Sequence, residues 1–231
     1  MLKWVADRDE WSHMTPQLPD WIRGYTCGSF TNIYELCPDE TRLYGVESLY
    51  GDWDGEVLLL AQDFAPRQLV LDRIADPNDR RPFRHSPKVP TNTNLQQLAD
   101  PLRCGKLYGN ALGGLLRNSD SDALPSLRDD TAHLLKVLRF ACEHMPNLRG
   151  IACLGTVAWD LCTEAFGIAG ADRTEHMNER RSVDVGGVLL FAHAHPARVW
   201  SNRGKANAVE DWRRMAETLD IGYNAAVARA A

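Results

Sequence analysis

Three residues of this chain stand where an apolar segment gives way to a turn. Asp63 follows Val57-Leu-Leu-Leu-Ala-Gln62, Asn110 follows Leu107-Tyr-Gly109, and His195-Pro196 follows Val188-Leu-Leu-Phe-Ala-His-Ala194. A carboxylate can hold a water or a developing positive charge. An imidazole can donate to a developing negative charge, and a carboxamide can grip the polar edge of a ligand. Continuous apolar runs of this length read as buried strands, and open α/β folds set their ligand sites at the carboxyl ends of such strands. Two apolar strands ending in Asp and His-Pro are the main clue to function.

The elements that must position them follow a β-turn-α grammar, which points to a parallel sheet. Residues 67–106 contain several prolines and read as loops with one short helix near Asn94 to Leu98, a long connection of the kind that often binds. Leu107-Tyr-Gly-Asn-Ala-Leu112 reads as a second strand. Ser126 caps a helix with Asp129 and Asp130 in its first turn and Leu134, Leu135, Val137, Leu138, Ala141, Cys142 and Met145 on its apolar face, and Pro146 stops it. Ile151-Ala-Cys-Leu-Gly155 is a short buried strand, and Thr156 opens a helix through Phe166. Gly186-Gly187 leads into a strand at 188–192. Val209, Trp212, Met215, Ala216 and Leu219 form the inner stripe of a last helix. Residues 1–50, rich in Trp, Tyr and Pro, read as an irregular part packing on a single domain that takes in residues 1–231.

With 231 residues and 44% hydrophobic content the chain can bury the core of one large domain. It has no apolar stretch near the roughly 20 residues that span a bilayer and no signal-peptide core at its start, so the expectation is a soluble, cytoplasmic protein with no membrane partner. The cysteines Cys27, Cys37, Cys104, Cys142, Cys153 and Cys162 are scattered, which suits reduced thiols rather than a disulfide framework. A net charge of −5 argues against nonspecific coating of nucleic acid. Local charge differs: Arg80-Arg-Pro-Phe-Arg-His-Ser-Pro-Lys88 carries four cations in nine residues, and Arg198, Arg203 and Lys205 follow His-Pro. Either cluster alone reads as solvated surface, but together, near strand ends, they suggest a face that contacts phosphates.

Taken in order, Ala61-Gln62-Asp63-Phe64-Ala65-Pro66, Asn110-Ala111, Ile151-Ala-Cys-Leu-Gly-Thr-Val-Ala158 and His195-Pro196 resemble the motifs of the uracil-DNA glycosylase superfamily, over residues from about 55 to 215. Each motif alone is weak, and the ordered set carries the resemblance. It implies a three-layer α/β/α fold with a central, mostly parallel sheet of four or five strands, and a flipped nucleotide bound at the strand ends. It also implies a monomer that binds single- or double-stranded DNA.

Hydrolysis of a pyrimidine N-glycosidic bond leaves positive charge on the sugar and negative charge on the base. A buried site therefore needs a carboxylate on one side and a donor on the other. In the family's terms Asp63 orients water and His195 donates to the base O2. Gln62, Phe64, Ala65, Phe83 and Asn110 would surround the base, with Phe64 or Phe83 stacking on it. One orientation of the Asn110 amide suits uracil or thymine, the flipped one cytosine. Arg84, Lys88, Arg198, Arg203 and Lys205 would meet phosphate, and Trp200 would act as a wedge in the vacated stack or else lie in the core. Without the other motifs, Asp63 reads equally as a turn cap and His195 as a structural histidine. His193 reads as structural.

Two departures matter. Where the most uracil-restricted branch has Pro-Tyr-His after the aspartate, this chain has Phe64, Ala65 and Pro66, which leaves room beside C5 for a substituted pyrimidine such as a hydroxymethylcytosine derivative of viral DNA. The iron-sulfur branches carry a cysteine pattern that is absent here, so no cluster, metal or other cofactor is expected. Two alternatives stay open: a catalytically silent member that recognises altered DNA or a protein partner, and an N-glycosidase acting on free nucleosides or nucleotides.

Overall fold

A computed structural model describes residues 18–25, 30–36, 49–62, 67–75, 90–110, 115–116 and 127–224. Within them the elements run α1 (Asp20–Arg23), β1 (Thr31–Asn32), α2 (Ile33–Leu36), β2 (Leu49–Gly51), β3 (Val57–Ala61), α3 (Arg67–Ala75), α4 (Pro90–Ala99), β4 (Lys106–Asn110), β5 (Leu115–Leu116), α5 (Leu127–Glu143) and β6 (Gly150–Leu154). They continue with α6 (Thr156–Ala165), α7 (Arg173–Glu179), β7 (Ser182–Val185), β8 (Val188–His193), a 3-10 turn (Pro196–Arg198), α8 (Val199–Asn202) and α9 (Lys205–Thr218).

Alternation along the strands decides the layering. Leu58 and Leu60 of β3, Ile151 and Cys153 of β6, and Leu190 and Ala192 of β8 enter one core with α5 and α6. Val57 and Leu59, Ala152 and Leu154, and Phe191 enter a second core with α4 and α9. Side chains two apart share a face of a strand, so apolar runs of this kind can only sit in a sheet covered on both sides. The protein is therefore α/β, with helices on both faces of a mostly parallel sheet. Ala208, Asp211, Trp212, Met215 and Ala216 give α9 one buried stripe at helical period, which includes the expected Trp212, Met215 and Ala216, while Val209 is only half-buried.

The sheet has six strands in the order β2-β4-β3-β6-β8-β7, more than the four or five expected. The parallel centre is β4-β3-β6-β8, and the additions are the antiparallel edges β2 and β7. The β7–β8 hairpin turns through Gly186 and Gly187, at φ 72° and 95°, and Asp184 Oδ1 accepts from the Gly187 N–H at 2.8 Å. Positive φ at both positions is what a two-residue hairpin requires, and glycine reaches it without strain. The segment read as loops around a short helix also differs. It carries the nine-residue helix α3, and the short helix extends to Pro90–Ala99.

From β3 the chain moves outward to β4, then returns past β3 to β6 and continues away to β8. The connections leaving β3 and β6 run in opposite directions. In open α/β sheets such a reversal, at the carboxyl ends of the strands, is where ligands bind. Among the described residues no helix is long and apolar enough to cross a membrane.

Candidate active site at the carboxyl edge of the sheet

The strand register brings three of the expected positions to this edge. Ala61 pairs with Asn110, so Gln62 follows at the same level, while Leu60 pairs with Cys153 and Leu154 with His193. Gln62, Asn110, Gly155 and His195 thus belong to four adjacent parallel strands at one end of the sheet. Asp63, Phe64 and Ala65 lie outside the described residues, as do Phe83, Arg84 and Lys88.

Gly155 joins β6 to α6 and holds φ 101°, a conformation that side chains rarely adopt. Its N–H donates to the His193 carbonyl at 3.0 Å. A Cβ built there would lie 3.2 Å from His195 Cβ and 3.4 Å from Cδ2, so the absent side chain is what lets the imidazole lie over the strand-helix turn. The N-terminus of α6 starts one residue on, and its dipole contributes partial positive charge to this rim.

His195 has extended backbone and caps the 3-10 turn, with Pro196 at the first turn position. Its Nδ1 accepts from the Ala197 N–H at 3.2 Å. An acceptor Nδ1 bears no proton, so in the neutral ring the proton resides on Nε2. The imidazole is thereby configured as an Nε2–H donor.

A clamp from α4 holds the turn. Asn94 donates through Nδ2 to the Pro196 carbonyl at 2.8 Å, and its Oδ1 accepts from Trp200 Nε1 at 2.7 Å. Sequence reading missed this role because the partner lies 102 positions away. Gly155 was also missed as a functional position, although its place between a buried strand and a helix start was visible.

The bonds of Trp200 select one of its two readings, and those of Arg203 correct an expectation. Trp200 is half-buried, is held by Asn94 and packs beside the α4–α9 core, with Lys205 Nζ 6.0 Å from its ring, so it is a strut of the site wall rather than a free wedge. The Arg203 guanidinium turns inward. It donates to both Asp211 oxygens at 2.7 and 3.0 Å, to Asn178 Oδ1 at 2.9 Å and to the Met177 carbonyl at 3.1 Å, with its side chain only 12% exposed. Its donors are occupied by α7 and α9, and it is no phosphate ligand. Arg180 completes the network at 2.9 Å from Asp211. Arg198 and Lys205 are exposed.

His193 lies beneath, 2% exposed, its ring 4.9 Å from that of Trp212. Burial lowers its pKa to about 4, while the Asp211 carboxylate opposes the shift and Arg203 adds to it. It is a neutral core residue. At the opposite end of the sheet the buried Lys106 Nζ donates to the Leu102 and Cys104 carbonyls, both at 3.0 Å, and ties that end shut. Among the described residues no group of three or more His, Cys, Asp or Glu side chains is arranged to hold a metal ion.

No protein-family model matches the chain. Comparison with curated proteins likewise finds no match. Function must therefore be read from the geometry.

Proposed function

We propose that the protein is a monofunctional DNA glycosylase that removes uracil or a 5-modified pyrimidine from a flipped nucleotide and leaves an abasic site. The observation that carries this reading is His195, an Nε2–H donor at the carboxyl edge of the sheet, on the same rim as Gln62 and Asn110. Water attacks C1′ as the C1′–N1 bond breaks, and the bonding electron pair leaves with the base. Asp63, next along the chain from Gln62, orients the water and accepts its proton. His195 donates to the base O2 where negative charge collects, a contribution worth about 10²- to 10³-fold for one preorganised donor. Asn110 grips the polar edge of the base, and Arg198 and Lys205 meet the backbone phosphates. This chemistry uses no metal or cofactor.

The test is alkali-revealed strand cleavage on labelled oligonucleotides carrying uracil, mismatched thymine, 5-hydroxymethyluracil, 5-hydroxymethylcytosine or its glucosylated form. Cleavage at one base, lost in Asp63→Asn and reduced at least about 10²-fold in His195→Ala, is the expected result. Binding without any abasic product would replace this reading with a recognition module. Release of base from mononucleotides alone would replace it with a nucleoside hydrolase.

A further inference from the structure

One peptide group connects Asn94 to His195. The Pro196 carbonyl that accepts from Asn94 Nδ2 at 2.8 Å and the Ala197 N–H that donates to His195 Nδ1 at 3.2 Å are the two ends of the same planar trans unit. In such a unit the C=O and N–H vectors are antiparallel and cannot turn independently. Holding the oxygen therefore aims the hydrogen. The geometry points to Asn94 as a positioning residue that sets the tautomer and orientation of His195 from a different helix, an inference that rests on His195 being the donor of the proposed reaction.

Three further features support it. Asn94 uses both ends of its amide, since Oδ1 accepts from Trp200 Nε1 at 2.7 Å, so neither the amide nor the turn can rotate without losing a bond on each side. Pro196 is buried, which anchors the turn at the residue whose carbonyl Asn94 holds. The bonds also run in series, from the amide to the carbonyl and from the N–H of that peptide to the imidazole, an arrangement in which each polarises the next. A donor held on Nδ1 keeps the ring proton on Nε2, the nitrogen that must face the departing base.

The experiment compares long-range proton–nitrogen spectra of the ¹⁵N-labelled histidines, with His195→Gln identifying the His195 signals. It uses the full chain as wild type, Asn94→Leu, Asn94→Asp and Trp200→Phe. Wild type should show an acceptor Nδ1 and a protonated Nε2. Asn94→Leu removes both bonds, and Asn94→Asp keeps the acceptor for Trp200 but sets an oxygen against the Pro196 carbonyl. Both should yield mixed tautomers, whereas Trp200→Phe, which keeps the Pro196 bond, should not. On uracil and 5-hydroxymethyluracil oligonucleotides the two Asn94 variants should lose about 10- to 100-fold in single-turnover rate, with oligonucleotide affinity within about twofold of wild type. Unchanged His195 signals in either folded Asn94 variant would overturn the inference. If wild type releases no base from any oligonucleotide, the glycosylase reading fails while the tautomer spectra still decide the role of Asn94.

Discussion

Gly155 lies directly beneath the His195 ring, close enough that a single added methyl group would come within 3.2 Å of His195 Cβ. Its φ of 101° adds a second constraint on the same position. Gly155→Ala should therefore cost about 1–3 kcal/mol through backbone strain and tilt the imidazole as well. The expected outcome is a lower melting temperature together with a fall in single-turnover base release that exceeds any change in DNA affinity. A variant that melts early but releases base at the wild-type rate would show that the glycine serves the backbone alone.

Stability should fall in mild acid because of His193. Its folded pKa of about 4 lies below the ordinary value of 6.5, so between these values the unfolded chain binds a proton that the folded chain refuses. Unfolding is therefore favoured as pH drops from about 6.5 towards 4, by up to about 1.4 kcal/mol per pH unit. Above about pH 7.5 the residue makes no pH-dependent contribution. Urea unfolding at pH 7.5, 6.0 and 5.0 should reveal the slope, and His193→Leu should flatten it.

Removing the inward guanidinium should damage the fold rather than DNA contact. Arg203→Met leaves the Asp211 carboxylate, whose side chain is 5% exposed, with Arg180 as its remaining cation. The expected loss is about 3 kcal/mol, the low end for breaking a buried pair because Arg180 stays in place. Denaturant unfolding measures it. The salt dependence of DNA binding should stay as in wild type.

The two exposed cations should behave in the opposite way. Arg198→Ala and Lys205→Ala should leave the melting temperature unchanged, and each should reduce the slope of log affinity against log salt by about 1. Fluorescence anisotropy across a salt series measures this. A slope unchanged in both variants would remove these residues from the proposed DNA contact.

Elements that bury a continuous apolar face were legible in the sequence. The run Val57–Ala61, the run Val188–His193 and the stripe of α9 came out close to their observed bounds, because burial on this scale dictates their composition. Helix α3 was not legible, since its segment lies among prolines and Val70 is its one residue in the buried core among those described. The β7–β8 hairpin could have been read from Val-Asp-Val-Gly-Gly-Val, where alternation meets a two-glycine turn. The rim itself was legible because strand ends are local features. The distinction between Arg203 and Arg198 was not, because a charge five positions along the chain carries no local sign of whether it meets solvent or Asp211. Asn94 was hidden for the same reason, as its partners lie 102 and 106 positions away.

That long separation bears on when the protein can act. During synthesis α4 leaves the ribosome well before the His195 turn exists, and the bond between Asn94 and Pro196 joins segments 102 positions apart. A nascent, nicked or half-melted chain that lacks this bond has the residues of the rim without the clamp on the His195 turn. In the proposed reaction, full rate therefore requires the assembled fold and not only the residues of the rim.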